Sequence, residues 1–92
     1  MDAGAKLSVN PTVVAKAMPE GAVLIDSRTG ECFELNRVGA RVWDGLERGV
    51  DLAGLVDELA AEYAIDRARI STDVATLVDA LTRHGVLIAS SR

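Results

Sequence analysis

The chain changes periodicity once, near Asn36, from a strand-like to a helix-like spacing of apolar residues. Before that point, Val13-Val14-Ala15-Lys16-Ala17-Met18 and Ala22-Val23-Leu24-Ile25 read as strands joined by the turn Pro19-Glu20-Gly21. A second turn, Ser27-Arg28-Thr29-Gly30, leads into Glu31-Cys32-Phe33-Glu34-Leu35, where Glu31, Phe33 and Leu35 share one side and Cys32 and Glu34 the other. Three strands joined by short turns predict an antiparallel meander whose first and third strands are its edges. After Asn36, a helix N-cap, the residues Val38, Val42, Trp43 and Leu46 recur at helical spacing until Gly49. Asp51 is placed to cap a second helix with the stripe Leu52, Leu55, Val56, Leu59, Ala60 and Tyr63, and Asp57, Glu58 and Glu62 lie outside that stripe. Asp66 is a third cap, opening the longest helix with Ile70, Val74, Leu77, Val78 and Leu81 and ending at Gly85. Val86-Leu87-Ile88 reads as a short apolar tail, and both ends, Met1–Ala5 and Ala89–Arg92, are expected to fray.

The order is thus β first and α second, an α+β domain: a three-stranded antiparallel meander followed by three helices that cover its apolar face. It resembles a winged helix-turn-helix, with the sheet placed before the helices rather than after them. With 92 residues there is room for one hydrophobic core, so residues 1–92 are expected to form one domain with an ordered core of about 7–88. Aromatics are confined to Phe33, Trp43 and Tyr63, and the core is therefore mainly aliphatic. Fourteen acidic against ten basic residues leave a formal charge of −4, a balance that draws neither nucleic acid nor anionic lipid. No apolar run is long enough to span a bilayer, and residues Met1 to Val9 lack the apolar centre of a secretion signal; the expected location is the cytoplasm.

Chemistry is sparse. One cysteine and one histidine exclude an internal disulfide and a cysteine- or histidine-rich metal site, and no cofactor motif is present. A Cys32–His84 pair would need a third residue to orient the imidazole, and no spacing supplies one. Cys32 reads instead as a small strand side chain, and His84 as a cation at a helix C-terminus. The carboxylates Asp57, Glu58, Asp73 and Asp79 fall on helical surfaces, and the eight glycines match neither phosphate-binding spacing. Asp26-Ser27 has the look of an acyl-carrier attachment site, but there the serine opens a helix, whereas Ser27 falls in a turn between strands. A DNA-binding regulator remains an alternative through the last helix, although Arg67, Arg69 and Arg83 are interspersed with Asp66, Asp73 and Asp79.

Glu34-Leu35-Asn36, followed by Gly39-Ala40 and Val42-Trp43, resembles the pattern of PqqD-like proteins, the peptide-recognition domains of ribosomal peptide modification pathways. The resemblance continues through Leu59–Tyr63, Asp66, Asp73-Val74, Leu77–Leu81 and Gly85-Val86-Leu87, from about Leu7 to Ile88. The nearest likeness is to the discrete leader-binding proteins of lasso-peptide biosynthesis, with the chaperone of pyrroloquinoline quinone synthesis as the alternative. The resemblance implies a non-catalytic protein without cofactor or metal. Its partners would be the leader of a precursor peptide, which adds as a strand antiparallel to the third strand and rests on the last helix, and a leader peptidase. By the same resemblance the contacts would come from Glu31, Cys32, Phe33, Glu34, Leu35, Asp73, Val74, Leu77, Val78 and Leu81. An exposed edge strand has the unpaired amides and carbonyls that such pairing requires.

Overall fold

The computed structural model describes residues 6–90 and the side chains of residues 7–88. Strand β1 (Lys6–Val9) is followed by β2 (Val13–Met18), β3 (Gly21–Asp26) and β4 (Cys32–Asn36). Helices α1 (Arg37–Glu47), α2 (Leu52–Tyr63) and α3 (Arg67–Arg83) come next, and β5 (Leu87–Ser90) closes the chain. The predicted meander is present as an antiparallel sheet in the order β2-β3-β4, so β4 is an edge. Its third strand starts one residue later than expected, because Glu31 belongs to the turn, where its N–H donates to Thr29 Oγ1.

Register sorts the sheet into two faces. Across the three strands, Ala15–Leu24–Phe33 and Ala17–Ala22–Leu35 form rows on one side, and Val14–Ile25–Cys32 and Lys16–Val23–Glu34 form rows on the other. The first side is the inner one: Leu24 and Leu35 are buried and Phe33 half-buried, whereas Val14, Ile25, Cys32 and Glu34 are exposed. The helices cover that inner side, burying Val42, Trp43 and Leu46 from α1, Leu55, Val56 and Leu59 from α2, and Ile70, Val74, Val78 and Leu81 from α3.

The helix boundaries follow the capping residues read from the sequence. Asn36 Oδ1 accepts from Gly39 N–H at 2.8 Å and Asp51 Oδ2 from Gly54 N–H at 3.3 Å. Asp66 opens α3, but its carboxylate makes no bond to the helix. Helix α3 ends on Gly85 at φ 75°, with Val86 N–H reaching back to Leu81 O and Gly85 N–H to Thr82 O, the paired bonds of a Schellman cap.

The chain ends depart from expectation. Ala89 and Ser90, expected to fray, belong to β5, which pairs antiparallel with β1 (Leu7↔Ala89, Val9↔Leu87) in a second, two-stranded sheet; residues 1–5, 91 and 92 lie outside the described residues. Val86 and Leu87 are buried, so two residues of the predicted apolar tail belong to the core, while Ile88 stays exposed. Asn10 ties the two sheets together. Its N–H donates to Val86 O (2.9 Å) and its Nδ2 to Gly85 O (3.0 Å), while Thr12 N–H donates to its Oδ1. Beside it, the fully buried Asp26 receives the Arg28 backbone N–H and the Arg28 guanidinium, each at 2.9 Å, with the Thr12 hydroxyl at 3.0 Å. Burial alone would raise the Asp26 pKa, but the Arg28 amide, the Thr12 hydroxyl and the Arg28 guanidinium together hold it below the usual carboxylate range.

Candidate functional site

Backbone pairing decides what the β4 edge offers. Asp26 N–H donates to Glu31 O across the β3–β4 turn, so this pair is hydrogen-bonded, and the alternation of an antiparallel ladder assigns the inward bonds of β4 to Phe33 and Leu35. Cys32 and Glu34 therefore turn their N–H and C=O groups away from β3, and no described segment pairs with that edge.

Beside this edge lies a cleft of about 500 Å³ between the C-terminal half of β4 and the N-terminal half of α3, within the size range of small-molecule and peptide pockets. Its wall on the strand side is Glu34, Leu35 and Asn36, and α1 supplies Val38, Gly39 and Val42. Arg69, Ile70, Asp73, Val74 and Leu77 of α3, with Ile65, complete the lining. The floor is apolar and the rim charged. Arg69 Nε stands 3.9 Å from Asp73 Oδ2, both well exposed, and Glu34 has no ion-pair partner among the described residues. Outside this lining, the Phe33 ring meets the His84 ring edge-on at 5.3 Å and His84 Nδ1 sits 3.5 Å from Glu31 Oε2.

Of the ten residues singled out from the sequence, Glu34, Leu35, Asp73, Val74 and Leu77 line this cleft together. Glu31 and Phe33 fall outside the lining and meet His84 instead, and Cys32 is exposed on the outer sheet face. Val78 and Leu81, at 4% and 3% exposure, are core residues outside the lining. They continue the buried stripe of Ile70 and Val74 toward the C-terminal half of α3, inside the common core. Sequence reasoning missed Arg69 and Ile70, although stepping back four residues from Asp73 and Val74 on a helix reaches both. Val38, Gly39, Val42 and Ile65 have no such signal, because their approach to β4 depends on how α1 and the α2–α3 linker pack.

The other readings lose their geometry here. Cys32 belongs to the outer face, and His84 packs on Phe33 at the inner one, so they do not form a dyad. Ser27 sits in the β3–β4 turn with its hydroxyl donating to Thr12 O at 2.8 Å. The α3 arginines each stand beside a carboxylate, Arg67 at Asp57, Arg69 at Asp73 and Arg83 at Asp79, which leaves no basic stripe for a DNA backbone. Among the described residues no helix is long and apolar enough to cross a membrane, and no three His, Cys, Asp or Glu side chains are grouped to hold a metal ion.

An open sheet edge beside a helix-lined cleft, on a frame of three strands and three helices, defines a small winged-helix-like α+β domain. The chain belongs to the PqqD family: the family described as coenzyme PQQ synthesis protein D matches residues 21–87. Two solved structures are similar over nearly the whole chain. TbiB1 in complex with the TbiA(beta) leader peptide shares 32% identity at a TM-score of 0.80, covering 88% of this chain and 94% of that one. Lasso peptide synthetase B1 complexed with the leader peptide shares 29% identity at a TM-score of 0.81, covering 90% and 98%. Comparison with curated proteins gives no match.

Proposed function

We propose that this protein is a non-catalytic leader-binding protein of lasso-peptide biosynthesis. It captures the leader of a ribosomally made precursor as an added strand on β4 and delivers it to a leader peptidase in the cytoplasm. The observation that carries the reading is the unpaired β4 edge, with its Cys32 and Glu34 amides and carbonyls, running beside an apolar cleft on α3. The two similar structures, both leader-peptide complexes, support it. Backbone bonds alone give general affinity, and the peptide side chains opposite Phe33 and Leu35 face inward, where Val38, Val42, Ile70, Val74 and Leu77 offer an apolar seat. Holding a peptide for another enzyme requires neither nucleophile nor metal.

The family description favours a second reading, the peptide chaperone of pyrroloquinoline quinone synthesis, which would use the same edge and cleft with a different precursor. Both readings meet one test. A fluorescently labelled TbiA(beta) leader peptide should bind saturably, and Leu77→Asp, at a half-buried cleft position, should weaken binding at least about tenfold without lowering the melting temperature by more than a few degrees. Absence of saturable binding would overturn the lasso reading.

A further inference from the structure

The geometry points to Glu34 as the residue that reads a basic side chain of the bound peptide and thereby fixes its register on β4. The inference rests on the strand-addition reading above and adds a charge to it. Glu34 ends the outer-face row Lys16–Val23–Glu34, so its side chain leaves the sheet on the face opposite the covered core, at the open edge that both the α3 cleft and a second hollow border. In an antiparallel ladder, directly opposed residues share a face. The peptide residue across from Glu34 therefore points outward beside the Glu34 carboxylate, while its two neighbours in the peptide point inward to the cleft.

The surroundings favour a cation at that place. The second hollow, of about 530 Å³, lies where the β2–β3 turn meets the C-terminal end of β4, lined by Met18, Val23 and Glu34 of the outer rows together with Glu20 and Arg37, and bordered also by Ala22 and Leu35. Met18 and Val23 give an apolar wall for the aliphatic stem of a lysine or arginine, whose head would then reach Glu34. Arg37 is the competing cation in the hollow and Lys16 the one in the same row, but neither stands within 4.0 Å of the Glu34 carboxylate. A like-charged peptide residue at this position faces an uncompensated carboxylate directly, and a slip of one residue carries the charged side chain into the apolar cleft.

The test is a positional scan of the TbiA(beta) leader peptide in which each residue in turn is replaced by Lys or by Glu, titrated against the wild-type protein, Glu34→Gln and Glu34→Lys. One position is expected to bind wild type about three- to tenfold more tightly as Lys than as Glu, to lose that preference with E34Q and to reverse it with E34K, the effect shrinking at high salt. The two flanking positions should reject both charges with all three proteins. If the peptides bind but no position changes its Lys-against-Glu preference with residue 34, the role of Glu34 is overturned and strand addition stands. If no peptide binds, strand addition falls and the role of Glu34 with it.

Discussion

Ala64, where α2 ends, is the one non-glycine residue among those described with a positive φ, 52°, in the left-handed region that a Cβ disfavours. Ala64→Gly should relieve that conformation and raise unfolding stability by about 0.5–1 kcal/mol, the relief being partly offset by glycine's greater freedom when unfolded; a urea titration reads it. Gly85 marks the same preference where the sequence does supply glycine, and there a Cβ would also stand 2.7 Å from Arg28 Nη2. Asp26 answers to pH. Its folded pKa is depressed, so its contribution is fully present above the unfolded value near 3.8 and is lost as pH falls through the lower folded value. Asp26→Asn should therefore melt lower than wild type at pH 7, and the gap should narrow as thermal melts are taken from pH 5 down to pH 2. Nothing in the sequence around Asp26 announces this role, because its partner Thr12 is fourteen residues away and reaches it, with Arg28, only once the turns are folded. Asn36 and Asp51 were legible as caps, since their bonds span three residues of local sequence.

At the scale of the element, β4 divides its residues by parity. Phe33 and Leu35 spend their backbone bonds on β3, and Cys32 and Glu34 keep theirs at the edge. Proline is tolerated on a strand where its missing N–H would have faced outward. Glu34→Pro should therefore fold with little loss and abolish binding of the TbiA(beta) leader, whereas Glu34→Ala should weaken binding by no more than about fivefold. Phe33→Pro breaks the ladder to β3 and should cost at least about 2 kcal/mol more than Glu34→Pro in a urea titration. The edge itself was readable, because two short turns leave the third strand of a meander outermost, and alternation placed Phe33 and Leu35 opposite Cys32 and Glu34. The cleft was readable only on its α3 side. Periodicity groups Asp73, Val74, Leu77, Val78 and Leu81 without saying which of them border β4, and burial in the common core removes Val78 and Leu81 from the lining.

Across the whole molecule, the two chain ends are held together by β1 and β5, which lie about eighty positions apart in sequence. The alternation Lys6-Leu7-Ser8-Val9 and the run Val86-Leu87-Ile88 are the only local traces of that pairing, and four-residue strands without a turn between them carry no register signal. Leu87→Ala should cost about 2–5 kcal/mol in unfolding stability, the range for a fully buried leucine, where a frayed tail would cost nothing. This second sheet, with the Asn10 bonds to Gly85 and Val86, fixes the C-terminal end of α3 next to the β2–β3–β4 sheet, while the cleft lies beside the helix's other half. Pairing of a leader with the free side of β4 is decided by amide hydrogen exchange, read residue by residue by NMR with and without the TbiA(beta) leader peptide. The Cys32 and Glu34 amides should exchange fast in the free protein and become protected in the complex, while Phe33 and Leu35 should already be protected without peptide. Binding that leaves the Cys32 and Glu34 amides unprotected would contradict it.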